Sequence, residues 1–224
     1  MTFRLVLAAH LACAFGAAAL FWIPIVADKG GPLHIRAGRF YTRLIYLTAL
    51  TGAPLAVLLF AQASEPAARR TACFLGYLMT ILVMPVFHGV RVARAARTGA
   101  AVASPLHTGL SWLAILAGLA LAALAIRWQE WPYLLLSPVG PVMGVRALLY
   151  ARQKFSAWRE EHVVAMLTSG IAVHTAMLVF GSTRTLGLTL TGMTVYVPWL
   201  LPTIVGLPLI LWRVRRERAA SASR

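Results

Sequence analysis

Carboxylates are scarce in this sequence. Asp28, Glu65, Glu130, Glu160, Glu161 and Glu217 are the only six in 224 residues, and each falls at an end of an apolar run or between two runs. An ionisable group at mid-membrane depth is costly and marks a functional site by default. The absence of a carboxylate there argues against a proton- or sodium-coupled transporter built on a buried acid, and against an intramembrane aspartyl protease. Cysteine is nearly absent too. Cys13 and Cys73 form no disulfide framework. Charge of both signs is thin, at 12% of residues against about a quarter in an average soluble domain. The longest gaps between apolar runs, 28–39, 91–104 and 151–161, are the size of ordinary connections, so no soluble domain remains.

Hydrophobic residues are abundant, at 60% of the chain, and mean hydropathy is +0.76. Crossing a bilayer as a helix takes about 20 mostly apolar residues. Seven stretches qualify: Phe3–Ala27, Phe40–Gln62, Thr71–Val90, Pro105–Ile126, Pro132–Tyr150, His162–Phe180 and Leu186–Trp212. The expected fold is all-α, a polytopic transmembrane bundle of about seven spans. The fifth run contains Pro138, Gly140 and Pro141 and is expected to kink or lose regularity. Such a break is tolerated only where protein or trapped water satisfies the freed backbone groups. The seventh, with Thr189, Thr191, Thr194 and Thr203 and Pro198, Pro202 and Pro208, is expected to bend and to face other helices.

The basic residues set a direction. Of 21 Lys and Arg, 16 lie in alternate gaps: Lys29 to Arg43, Arg91 to Arg97, Arg146 to Arg159, and the tail from Arg213. The other five are Arg4, Arg69, Arg70, Arg127 and Arg184. Short loops rich in Lys and Arg stay in the cytoplasm. The expected topology therefore has the N-terminus outside and the C-terminus cytoplasmic, in a bacterial inner membrane. The first run, which continues to Val26, is read as a span rather than a cleaved leader. Residues 1–213 read as one transmembrane domain, and 214–224 as a basic, disordered cytoplasmic tail. A net charge of +15 suggests nucleic acid in a soluble protein. Here the charges flank apolar runs, so the expected partner is a bilayer with anionic headgroups at the cytoplasmic face, and no nucleic acid. Small residues at four-residue spacing (Ala12 and Gly16; Ala114, Gly118 and Ala122) permit close helix approach. Protein partners are left open, a homo-oligomer among them.

Six histidines carry most of the candidate chemistry. His10 and His174 each fall about seven residues in from an outer run end, roughly 10 Å deep. His34, His88, His107 and His162 group at the inner side. Neutral imidazole ligates haem iron, copper and zinc. The outer pair, His10 and His174, are candidate metal ligands, with further cofactor ligands drawn from the inner four. Taken singly, each inner histidine also fits a plainer role, bonding a carbonyl, a water or a lipid phosphate.

The densest motif runs Asp28-Lys-Gly-Gly-Pro-Leu-His34-Ile-Arg36-Ala-Gly-Arg39-Phe-Tyr41. Gly30, Gly31 and Pro32 suit a tight reversal. His34, Arg36 and Arg39 then offer donors at headgroup level, to a lipid phosphate, an anionic substrate or the propionates of a haem. The same residues also fit a compact structural hairpin. Through Lys29, Gly30, Leu33, His34, Gly38, Arg39 and Tyr41 the first 60 residues or so resemble a family of uncharacterised prokaryotic multi-pass membrane proteins with a domain of unknown function. This chain has Ile35 where that family tends to have arginine, with Arg36 one place later. Trp158-Arg-Glu-Glu-His162 and Met166 are similar to a later helix start in the family. The resemblance implies a multi-helix membrane fold and no established activity.

The function expected from the residues is a histidine-based redox module holding haem b or a transition metal, with Arg36 and Arg39 neutralising propionates. The alternative is a non-catalytic membrane assembly component or a small-solute permease. No catalytic residue is assigned.

Overall fold

In a computed structural model of the chain, residues 2–152, 157–182, 187 and 189–222 are described. Lys154, Arg184 and Arg224, counted in the charge pattern, lie outside them. The described residues contain no strand, and seven helical stretches are long and apolar enough to cross a membrane. The protein is therefore an all-α multi-pass membrane protein. The helices are α1 (Thr2–Val26), α2 (Pro32–Gln62), α3 (Pro66–Thr98) and α4 (Pro105–Trp128), then α5 (Trp131–Leu136), α6 (Val139–Arg152), α7 (Trp158–Ala176) and α8 (Val197–Ala222). Met177–Ser182 continues α7 as a π-helical stretch, and Gly192–Tyr196 is a 3-10 turn before α8.

Helix starts follow proline. Pro32, Pro66, Pro105 and Pro132 all stand in the first turn of their helices, where a missing N–H costs nothing. Ser104 caps α4 by accepting the His107 backbone N–H at 3.1 Å. Gly99 ends α3 with a positive φ of 71°. Because α2 begins at Pro32, the motif expected as a reversal is mostly helix. Only 27–31 turns, and His34, Arg36 and Arg39 stand on the first two turns of α2. Likewise α3 runs to Thr98, two turns past the apolar run that ended at Val90.

The most buried span is α3, with α2, α4, α6 and α7 packed around it. Phe74, Leu78, Leu82 and Val86 on α3 are fully enclosed. The fifth span is broken as expected, α5 ending at Leu136 and α6 starting at Val139. The Tyr77 hydroxyl of α3 lies 3.0 Å from Leu136 O and 2.9 Å from Ser137 O, and accepts the Gly140 N–H at 2.9 Å. One side chain thus answers the polar backbone freed by the break. Opposite it, Gly118 of α4 meets Pro141, and Gly140 lies against the Ala114 carbonyl, leaving no room for a Cβ at either glycine. The small-residue spacing in the fourth run serves this contact.

The seventh span departs from expectation. It is the least buried of the seven, with Leu200, Leu201, Ile204, Val205, Leu207 and Leu211 exposed. Only a stripe of Trp199, Pro202, Gly206 and Ile210 is buried, where Gly206 meets Ile171 of α7. One helix face is enough for packing, and the rest is apolar because it faces lipid. Thr189 and Thr191 precede the helix altogether. The helix also continues through Ala222.

Candidate functional site: a buried histidine–carboxylate chain

Four helices bring ionisable side chains together near the basic end of the bundle. His88 comes from α3, His107 from the first turn of α4, Arg146 from α6 and Glu161 from the first turn of α7. His88, His107 and Glu161 are 0%, 1% and 3% exposed. His88 Nε2 lies 2.9 Å from Glu161 Oε1, and His88 Nδ1 lies 3.0 Å from His107 Nε2. Arg146 closes on the same carboxylate, Nε to Oε1 at 3.0 Å and Nη2 to Oε2 at 2.7 Å. The Tyr150 ring stands 5.7 Å from that of His88. The Arg146 side chain is 40% exposed, so the chain of contacts begins at an edge and runs inward.

With both imidazoles neutral, the bonding sets a direction. An ionised carboxylate only accepts, so His88 Nε2 carries the proton that reaches Glu161. His88 Nδ1 then holds a lone pair and takes the N–H of His107 Nε2. That leaves His107 Nδ1 as a bare acceptor. It is buried and has no partner among the described residues, and the same is true of the Tyr150 hydroxyl. Orphaned polar atoms of this kind cost about 1–3 kcal/mol each, which is a poor outcome for a purely structural cluster.

Sequence reasoning placed His88 and His107 among the inner candidates and missed their partners. By sequence, Glu161 stands at a segment end and Arg146 counts with a cytoplasmic basic gap. Both are drawn into the protein because α3 overhangs the starts of α4 and α7. Val92, Ala95 and Val102 pack with Tyr150, whose ring stands beside His88. A visible hint was an arginine four residues inside an apolar run, which calls for a nearby acid.

The other histidines are placed apart. His10 puts Nδ1 3.0 Å from Thr48 O and 3.2 Å from Thr51 Oγ1. His174 donates from Nδ1 to Gly170 O at 2.7 Å and accepts the Trp22 indole N–H on Nε2 at 3.1 Å. Both nitrogens of His174 are therefore occupied. The two histidines expected as an outer pair are each bonded elsewhere. Trp22 lies twelve residues along α1 from His10, a rise of about 18 Å. His34 and His162 do meet, with ring centroids 6.4 Å apart. Each sets Nδ1 on a backbone carbonyl, Pro24 O at 3.0 Å and Gly89 O at 2.9 Å. Arg36 and Arg39 are exposed on α2 and make no hydrogen bond or ion pair among the described residues.

The end of α1 gathers cations. Lys29 Nζ donates to Pro24 O, Ile25 O and Ala27 O at 2.7, 2.6 and 3.2 Å, and Arg213 Nη2 donates to Ile25 O at 2.8 Å. Positive charge suits the carbonyl end of a helix. Burial, then the Arg213 guanidinium nearby, lowers the Lys29 pKa from its ordinary value. Among the described residues no three His, Cys, Asp or Glu side chains converge as a metal-binding group, and both cysteines are free. No family model, curated protein or solved structure matches the chain.

Proposed function

We propose that this is a proton-coupled protein of a bacterial inner membrane, with Glu161, His88 and His107 as its proton path. The observation that carries the reading is the continuous bonded chain of three buried ionisable groups ending on a nitrogen with no partner among the described residues. A proton taken at His107 Nδ1 releases the Nε2 proton to His88 Nδ1, and His88 in turn releases its Nε2 proton to Glu161. Arg146 holds the carboxylate in line and supplies countercharge. Neutral imidazole suits this task because each ring nitrogen can take a proton as the other gives one up. The path supplies a coupling ion for a small-solute permease, and that class is favoured over an assembly component.

Infrared difference spectra across a pH step test it. The expected result is a carboxylic C=O band that disappears in Glu161→Gln, with imidazole bands that disappear in His107→Phe. Spectra unchanged by both substitutions in folded protein would remove the proton path.

The histidine-based redox reading keeps one supporting observation, the meeting of His34 and His162 at the basic end. It concerns a separate pair of rings and does not depend on the relay.

A further inference from the structure

We infer that His34 and His162, with the thioether of Met166, form a binding site for a monovalent copper ion at the basic end of the bundle. Each imidazole directs Nδ1 at a backbone carbonyl, Pro24 O or Gly89 O. That bond makes Nδ1 the N–H and leaves Nε2 as a lone pair. Metal-ligating histidines are oriented in the same way by the bond from their other nitrogen. The rings stand 6.4 Å apart, centroid to centroid. Two metal–nitrogen bonds of about 2.0 Å with two ring radii of about 1.1 Å come to about 6.2 Å, which matches the spacing of the two rings.

The third donor is soft. Met166 stands one turn beyond His162 on α7, on the same face. Its Sδ is 3.1 Å from the position a Cβ would take on Gly89, the residue whose carbonyl holds His162. Thioether selects Cu(I), and imidazole accepts copper readily. The surroundings agree with a single charge. Lys29 and Arg213 crowd the end of α1 beside His34, and no carboxylate is bonded to either histidine among the described residues. A divalent ion would meet that cationic crowd at greater cost than a monovalent one.

The test is a titration of the purified full-length protein in detergent with Cu(I) under reductant, competed against a coloured Cu(I) chelator. One equivalent is expected to bind. His34→Gln and His162→Gln should each weaken it at least tenfold, and glutamine can still donate to the same carbonyl, which protects the fold. Met166→Leu should weaken Cu(I) and remove a sulfur shell from the X-ray absorption spectrum. Cys13→Ser and Cys73→Ser should leave both unchanged. The site is overturned by no stoichiometric binding, by binding retained in both histidine variants, by binding lost in the cysteine variants, or by Zn(II) held as tightly as Cu(I).

Discussion

Arg146 and Glu161 come from different helices and meet twice, Nη2 to Oε2 at 2.7 Å and Nε to Oε1 at 3.0 Å. This bidentate pair ties α6 to α7 and fixes the carboxylate against His88. Removing the guanidinium leaves a buried acid that keeps only the imidazole. Arg146→Met should therefore destabilise the protein, near the lower end of the roughly 3–5 kcal/mol typical of a broken buried pair because the arginine is partly exposed. The double variant Arg146→Met with Glu161→Leu should recover much of that loss. Thermal unfolding in detergent measures both, and equal losses in the single and double variants would refute the pairing.

Tyr77→Phe removes one hydroxyl and leaves Gly140 N–H, Leu136 O and Ser137 O without it. A loss of about 1–3 kcal/mol is expected for buried groups left unpaired. Tyr41→Phe, which gives up a 2.8 Å contact with Ser169, is the comparison. Tyr41 bonds one hydroxyl and Tyr77 meets three backbone groups, so Tyr77→Phe should cost more. The reverse order in unfolding measurements would count against the role given to Tyr77.

Gly118→Ala places a methyl group against Pro141 and the Ser137 carbonyl. Overpacking of this kind costs about 1–3 kcal/mol. Gly109→Ala on the same helix meets open space and should be neutral or slightly stabilising. Unchanged stability in Gly118→Ala would mean that α4 and α6 separate more easily than their contact implies.

Orientation can be read with single cysteines in a background of Cys13→Ser and Cys73→Ser. Ser64→Cys lies between α2 and α3, and Ala100→Cys lies between α3 and α4. An impermeant thiol reagent on intact cells should label the first and not the second, since the basic loops are expected inside. The opposite pattern would invert the topology.

Span number, the broken fifth run and the close glycine contacts of α4 were all legible, because each follows from chain-local chemistry: apolar length, a proline, a missing side chain. The site was legible only by residue type. His88 and His107 stood out as histidines, but their depth depends on how far α3 overhangs its neighbours. Glu161 shows why that matters. Four residues into α7 it belongs to a helix end by sequence, yet it is 3% exposed. The exposure of the seventh span was hidden for a similar reason. Threonine and proline report local bending and say nothing of how many neighbours a helix has.

Arg213 reaches Ile25 O across 188 positions of sequence, joining the last helix to the end of the first. Synthesis runs from the N-terminus, so the first hairpin enters the membrane well before that guanidinium exists. Until then, Lys29 and His34 are the side chains that answer the exposed carbonyls of α1. The late arrival of α8 therefore completes a boundary opened at the very start of insertion. A chain released before Arg213 would leave the Ile25 carbonyl to Lys29 alone.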